Sequence, residues 1–184
     1  MKIIAFAGSN SANSINKKLI TSVSKYYKEA DDIIEILDLN DYEMPIYSKE
    51  REKESGIPAL AHAFALKIDE ADFILVSFAE NNGNFNAAYK NLSDWVSRIP
   101  NRKIYGGKPV FALATSPGKR GGQSVLDIAS VRLPFDGAEL LETFSVPEFD
   151  QNFEEGKGLI NMLLRSQLEA KVRKTKRLLA AKNA

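Results

Sequence analysis

Residues 3–16 read Ile3-Ile4-Ala5-Phe6-Ala7-Gly8-Ser9-Asn10-Ser11-Ala12-Asn13-Ser14-Ile15-Asn16, five apolar residues running straight into glycine, hydroxyls and amides. Beyond them Leu19, Ile20, Val23, Tyr26 and Tyr27 fall at helical spacing. An apolar run this short is a buried strand, and the polar loop delivers it into a helix. At a helix start the first N–H groups lack intrahelical partners and the dipole ends positive, while Ser and Asn side chains add neutral donors. The stretch therefore predicts an α/β sheet with a phosphate site at the carboxyl end of its first strand.

The same alternation continues outward. Apolar residues over 33–37, 73–78 and 110–114 predict three more strands, and 139–144 a weaker fifth. Helical spacing predicts helices over 14–29, 59–68, 87–98 and 124–133. A long closing helix is predicted over 158–181, with Leu159, Met162, Leu163, Leu168 and Val172 as the stripe that packs on the sheet. Strands apolar on both faces, separated by helices, predict a parallel sheet covered on both sides, a three-layer α/β/α sandwich. A length of 184 residues with 44% hydrophobic content suits a single domain over residues 1–184. The Lys- and Glu-rich stretch 47–56 reads as a solvated loop.

Composition excludes several chemistries. Twenty-five basic against 24 acidic side chains leave a formal charge of +1, with no bias toward nucleic acid or an anionic membrane. The absence of cysteine removes disulfides, thiol nucleophiles and thiolate metal sites. A single histidine removes a multi-His metal centre, so no metal is expected; His62, between two alanines in a helical stretch, reads as structural or surface. The opening apolar run is shorter than the roughly 7–15 residues of a secretory core. No run approaches the ~20 apolar residues of a membrane span. The expected address is the cytoplasm.

In an open α/β sheet the ligand lies outside the carboxyl ends of the strands, where the strand order reverses. Three polar loops qualify: residues 8–16; Glu80-Asn81-Asn82-Gly83-Asn84-Phe85-Asn86; and Thr115-Ser116-Pro117-Gly118-Lys119-Arg120-Gly121-Gly122. Their glycines let the backbone approach a flat ligand closely. The first loop carries one glycine, not G-x-G-x-x-G, and no G-K-[ST] occurs in the chain. That combination favours a terminal phosphomonoester, and so a mononucleotide such as FMN.

Taken in order, these features resemble the NADPH-dependent FMN reductase family of flavodoxin-like proteins, which includes quinone, azo-dye and chromate reductases. The similarity rests on Gly8, Ser9, Ser14 and Asn16, on Met44-Pro45-Ile46-Tyr47, Gly56-Ile57-Pro58 and Ala71-Asp72, and on Lys90-Asn91-Leu92-Ser93-Asp94-Trp95 and Ser116-Pro117-Gly118 with Gly121-Gly122. The resemblance implies a flavodoxin-like fold with a five-stranded parallel sheet in the order 2-1-3-4-5. It implies FMN as cofactor and NADPH or NADH as hydride donor, with transfer through flavin N5 to a small-molecule electron acceptor and no catalytic side chain. Ser9, Ser11, Ser14, Ile15 and Asn16 would hold the phosphate. Glu80, Asn81, Asn82 and Gly83 would line the ring, and Ser116, Gly118 and Gly121 its other edge. Lys119 or Arg120 is the candidate for the 2′-phosphate of NADPH.

Family members form homodimers or homotetramers, with residues 44–58 the candidate contact here. Two positions depart from the family pattern. Ser11 stands where Arg is usual, removing a charge-assisted contact of roughly 1.5–3 kcal/mol, and Asn81 stands where an aromatic is usual. Two rival readings stay open: a flavodoxin-like electron carrier, and a flavin-poor binding or regulatory protein on the same fold.

Overall fold

The computed structural model describes residues 1–182. Five strands, β1 (Lys2–Gly8), β2 (Ile33–Leu37), β3 (Phe73–Phe78), β4 (Pro109–Thr115) and β5 (Glu139–Val146), make one sheet. Its order is β2-β1-β3-β4-β5. Every neighbouring pair is parallel, as the apolar character of the strands predicts. Alternate side chains divide between two cores. Ile4, Phe6, Ile74 and Val76 face one layer of helices, while Ile3, Ala5, Phe73 and Leu75 face the other.

The first layer holds α3 (Ala59–Glu70), α4 (Ala87–Val96) and α5 (Gln123–Phe135), which bury Phe64, Trp95 and Leu126 among others. The second holds α1 (Ile15–Ser24) and α7 (Met162–Lys182), which bury Leu19, Ile20, Leu168 and Val172. A short α2 (Lys49–Ser55) and a single turn α6 (Phe149–Asn152) complete the helices.

Three elements differ from the sequence reading. Residues 49–55 form a helix, not a loop. No residue of α2 is buried, so no apolar period marks it; its signals are polar. Ser48 Oγ accepts from the Arg51 N–H at 3.2 Å, Glu50 and Glu52 sit in the first turn, and Gly56 closes the end at φ 73°.

The first helix stops at Ser24 and passes into a 3₁₀ turn, Lys25–Tyr27. The closing helix starts at Met162, where the Asn161 side chain accepts from the N–H groups of Leu163 and Leu164. Before it, Phe153–Glu154 and Gly158–Leu159 pair as an antiparallel hairpin. Met162 and Leu163 consequently lie exposed in the first turn of α7, and its buried stripe is Leu168, Val172, Thr175 and Leu179.

Glu142 of β5 anchors α7. Its carboxylate meets Lys171 Nζ at 2.6 Å and Lys174 Nζ at 2.5 Å. Burial pushes this carboxyl up, but the two ammonium donors outweigh it and hold the pKa below the ordinary glutamate value. A depressed carboxylate stabilises above its unfolded pKa, and that stability is lost as pH falls through the folded one. Glu142→Gln is therefore expected to cost about 1–2 kcal/mol at neutral pH. The gap to wild type should close in acid when urea melts are compared across pH.

Candidate functional site

The chain leaves β1 toward β2 on one side and returns to β3 on the other, so the order reverses between β1 and β3. The three polar loops meet at that edge around a cavity of about 240 Å³. The first loop contributes Ser9, Ser11, Ser14, Ile15 and Asn16; the second Glu80 and Asn81; the third Ser116. Four predicted residues, Asn82, Gly83, Gly118 and Gly121, do not line it.

The first loop is prepared for an anion. Ser14 caps α1, its Oγ accepting from the Lys17 N–H at 3.2 Å. The Ser14 N–H donates to the Ser11 carbonyl, and the Ser11 N–H to Ser9 Oγ, both at 3.2 Å. The N–H groups of Ile15 and Asn16, first in α1, have no intrahelical acceptor and are the donors a phosphate would use.

The Asn16 side chain is committed elsewhere. It is 3% exposed. Its Nδ2 donates to the Thr115 carbonyl at 3.2 Å, and its Oδ1 accepts from Ser77 Oγ at 2.7 Å and the Thr115 N–H at 3.0 Å. It braces α1 to β3 and β4, leaving only its main-chain N–H for a ligand.

The second loop is a hairpin. Glu80–Asn81 pairs with Asn84–Phe85 across Asn82 and Gly83, whose φ values of 52° and 75° are both left-handed. This is the two-residue turn that Asn-Gly favours, a signal present in the sequence but not used there. The turn puts Asn82 and Gly83 at the tip. Below it Phe78, Phe85 and Tyr89 pack with centroids 4.9–5.0 Å apart. Tyr89 shares a hydrogen bond with Tyr105 at 2.8 Å. Burial pushes the Tyr89 hydroxyl up to about 12, so it holds its proton near neutrality.

Two side chains tie the loops together. Glu80 Oε2 accepts from the Val125 N–H at 3.1 Å, serving the first turn of α5, whose cap position is Gly122. Asn86 Nδ2 donates to Asn81 Oδ1 at 3.0 Å and Asn10 Oδ1 at 3.3 Å, while its Oδ1 accepts from the Ala88 N–H. Asn86 is not among the predicted site residues; an Asn directly before a helical run was its signal. Glu80→Ala removes a cap and is expected to cost about 0.5–2 kcal/mol. In thermal melts Glu80→Gln, whose amide oxygen still accepts, should recover most of the loss.

The third loop folds onto the end of β5. The Gly118 carbonyl accepts from the N–H groups of Gly121 and Glu148, both at 3.1 Å. Gly121, at φ 58°, lies against Ser145–Pro147. These glycines shape the loop, and Ser116 alone of the predicted three reaches the cavity. Arg120 turns back to Ser124 Oγ. The polar lining is thus hydroxyls, amides, main-chain N–H groups and the Glu80 carboxylate, which is engaged by the Val125 N–H, without a cationic side chain. That donor set suits a phosphomonoester held by neutral groups, with a flat polar-edged ring across the hairpin, and FMN fits both.

A model of the NADPH-dependent FMN reductase family matches residues 1–149. The chain belongs to that family. It is an oxidoreductase, and FMN and NAD(P)H are the cofactors of its chemistry. The NADPH:quinone oxidoreductase of Arabidopsis thaliana is 29% identical over 152 residues, 83% of this chain and 74% of that protein. The 2-hydroxy-1,4-benzoquinone reductase of Burkholderia sp is 31% identical over 121 residues. That match covers 66% of this chain and 63%, just under two thirds, of the relative.

Among solved structures, the flavoenzyme NAD(P)H:(acceptor) oxidoreductase FerB from Paracoccus denitrificans superposes with a TM-score of 0.73 at 21% identity. It covers 96% of this chain and 97% of FerB. Its likeness is one of fold, and the flavodoxin-like architecture expected from the sequence is the one observed. Among the described residues, no helix is long and apolar enough to cross a membrane.

Proposed function

We propose that the chain reduces quinone-type small molecules with NAD(P)H, holding FMN in the crevice between the three loops. The observation that carries this reading is a pair of uncommitted N–H donors at the start of α1, beside a polar crevice where the strand order reverses. Ile15 and Asn16 grip the phosphate through the main chain, and Ser9, Ser11 and Ser14 add hydroxyls. Glu80 and Asn86 hold the hairpin in place as one wall. Asn81 and Ser116 face the ring edge, and Gly83, Gly118 and Gly121 give the turns their shape. Bound there, FMN supplies the redox chemistry, accepting hydride from the nicotinamide and delivering electrons to the acceptor. The side chains bind and orient; none is required as nucleophile or proton donor.

The electron-carrier reading is disfavoured by the near-neutral balance of charge, because carriers steer to partners by strong net charge. In this reading residues 1–184 act as one domain in the cytoplasm, as a homodimer or homotetramer. The contact is assigned to residues 44–58, where Ile46 is 75% exposed. Asn91 and Trp95 hold that segment, Trp95 Nε1 donating to the Pro45 carbonyl at 2.7 Å.

The test pairs flavin titration with turnover. FMN should bind about 100-fold tighter than riboflavin, the worth of roughly two charge-assisted contacts to the phosphate. NADPH oxidation should proceed with a benzoquinone acceptor and no second protein. Riboflavin binding as well as FMN, or no turnover without an added reductase, overturns the proposal.

A further inference from the structure

Four asparagines line the crevice: Asn13, Asn16, Asn81 and Asn86. Asn16 has both ends of its amide engaged by Ser77 and Thr115, and Asn13 belongs to the phosphate loop. Asn86 and Asn81 remain, and the first fixes the second. The Asn86 oxygen accepts from the Ala88 N–H at 2.9 Å as the cap of α4. A main-chain N–H can only donate, so this contact settles which end of the Asn86 amide is which. Its nitrogen, with two protons, then donates to Asn81 Oδ1 at 3.0 Å and to Asn10 Oδ1 at 3.3 Å. An amide nitrogen pairs only with acceptors, so both neighbours must turn their oxygens to Asn86.

The result is a wall that donates. With its oxygen engaged, Asn81 has its Nδ2 group left for a guest, and among the described residues that nitrogen donates to no protein acceptor. Asn81 is exposed, open to a visiting molecule. Asn10 is held in the same way but stands outside the crevice lining. No cationic side chain lines the crevice, so negative charge formed there is met by N–H dipoles.

We propose that the Asn81 amide selects the electron acceptor by donating to a carbonyl oxygen, with Asn86 as its positioning residue. The inference deepens and rests on the flavin site assigned above, in which Asn81 stands at the ring edge. Hydride from NAD(P)H, passed on through the flavin, converts a quinone into the monoanion of its hydroquinone; a proton from water completes the product. Charge gathers on an oxygen that was neutral, so a donor already aimed there stabilises the transition state more than the bound quinone. The cap of α4 fixes the amide before the substrate arrives, so no reorientation is needed during the reaction.

The experiment compares kcat/KM for a benzoquinone with that for ferricyanide, which takes electrons one at a time and carries no carbonyl, at saturating FMN. Asn81→Leu should lower the quinone value about tenfold relative to ferricyanide, the size of one hydrogen bond to a charged oxygen. The fall should lie mainly in kcat. Asn86→Ser keeps the cap of α4 but releases the Asn81 oxygen. It should lower the same ratio about twofold, since a freed amide divides between two orientations. A residue that merely held the hairpin would slow both acceptors alike. Thermal melts confirm that both variants fold. Wild-type protein that binds FMN and reduces quinone, with the ratio unchanged in Asn81→Leu, overturns the inference and leaves the flavin site standing. An Asn81→Leu protein whose FMN affinity falls in step with its quinone rate assigns the amide to the flavin, and also overturns it. Wild-type protein that binds no FMN overturns the flavin site, and the inference with it.

Discussion

Asn16→Leu is expected to lower stability by about 3–5 kcal/mol and to abolish FMN retention. The leucine fits the side-chain volume but strips partners from Ser77 Oγ and from the N–H and C=O of Thr115, on residues 0% and 1% exposed. A buried polar group left unmade costs roughly 1–3 kcal/mol, and three are orphaned together. The loss falls where α1 meets β3 and β4, so the phosphate N–H groups lose their placement as well. Urea melts measure the first effect and FMN titration the second. Ser77→Ala removes one partner of the three and should cost about 1 kcal/mol. An Asn16→Leu protein that melts with wild type would sink the assignment of Asn16 as a brace.

Gly121→Ala is the second large effect, about 3–4 kcal/mol. A Cβ at this position meets Ser145 Oγ and comes within 2.7 Å of Pro147 N and 2.8 Å of Val146 C. Two of those three atoms are main chain and cannot swing away. Its φ of 58° adds the left-handed penalty of about 1–2 kcal/mol. Gly83→Ala is the control, since its φ is 75° but no atom lies within 4 Å of the added carbon. That variant should lose only the conformational part, so the difference between the two melting curves isolates the clash. Equal losses would show that close packing against β5 does not matter.

The central strands β1, β3 and β4 were legible because they are buried almost throughout and so nearly all apolar. The edge strands β2 and β5 are only partly buried and carry Glu35, Glu139 and Glu142. Residues 73–78, for example, are all buried. Helices with a core face were legible for the same reason, through Leu19, Ile20 and Val23 or Tyr89, Leu92 and Trp95. What escaped has no apolar period. Residues 49–55 bury nothing, and the helix predicted over 158–181 takes in Gly158 and Leu159, the second strand of the 153–159 hairpin, although Gly158, at φ 80°, breaks it.

At the site, sequence located the three loops but not the division of labour within them. The Asn16 amide turns inward to Thr115, 99 residues away. The Glu80 carboxylate reaches Val125, 45 residues away. Such pairings are set by the crossing of strands and helices, and no local pattern records them.

With Asn16, Glu80 and Asn86 already cross-linking the three loops, little chain entropy remains to be surrendered when a flavin arrives. Encounter should therefore be fast and nearly the same for every flavin form. Discrimination among them will be written in residence time, with the tightest-held cofactor distinguished by how slowly it leaves.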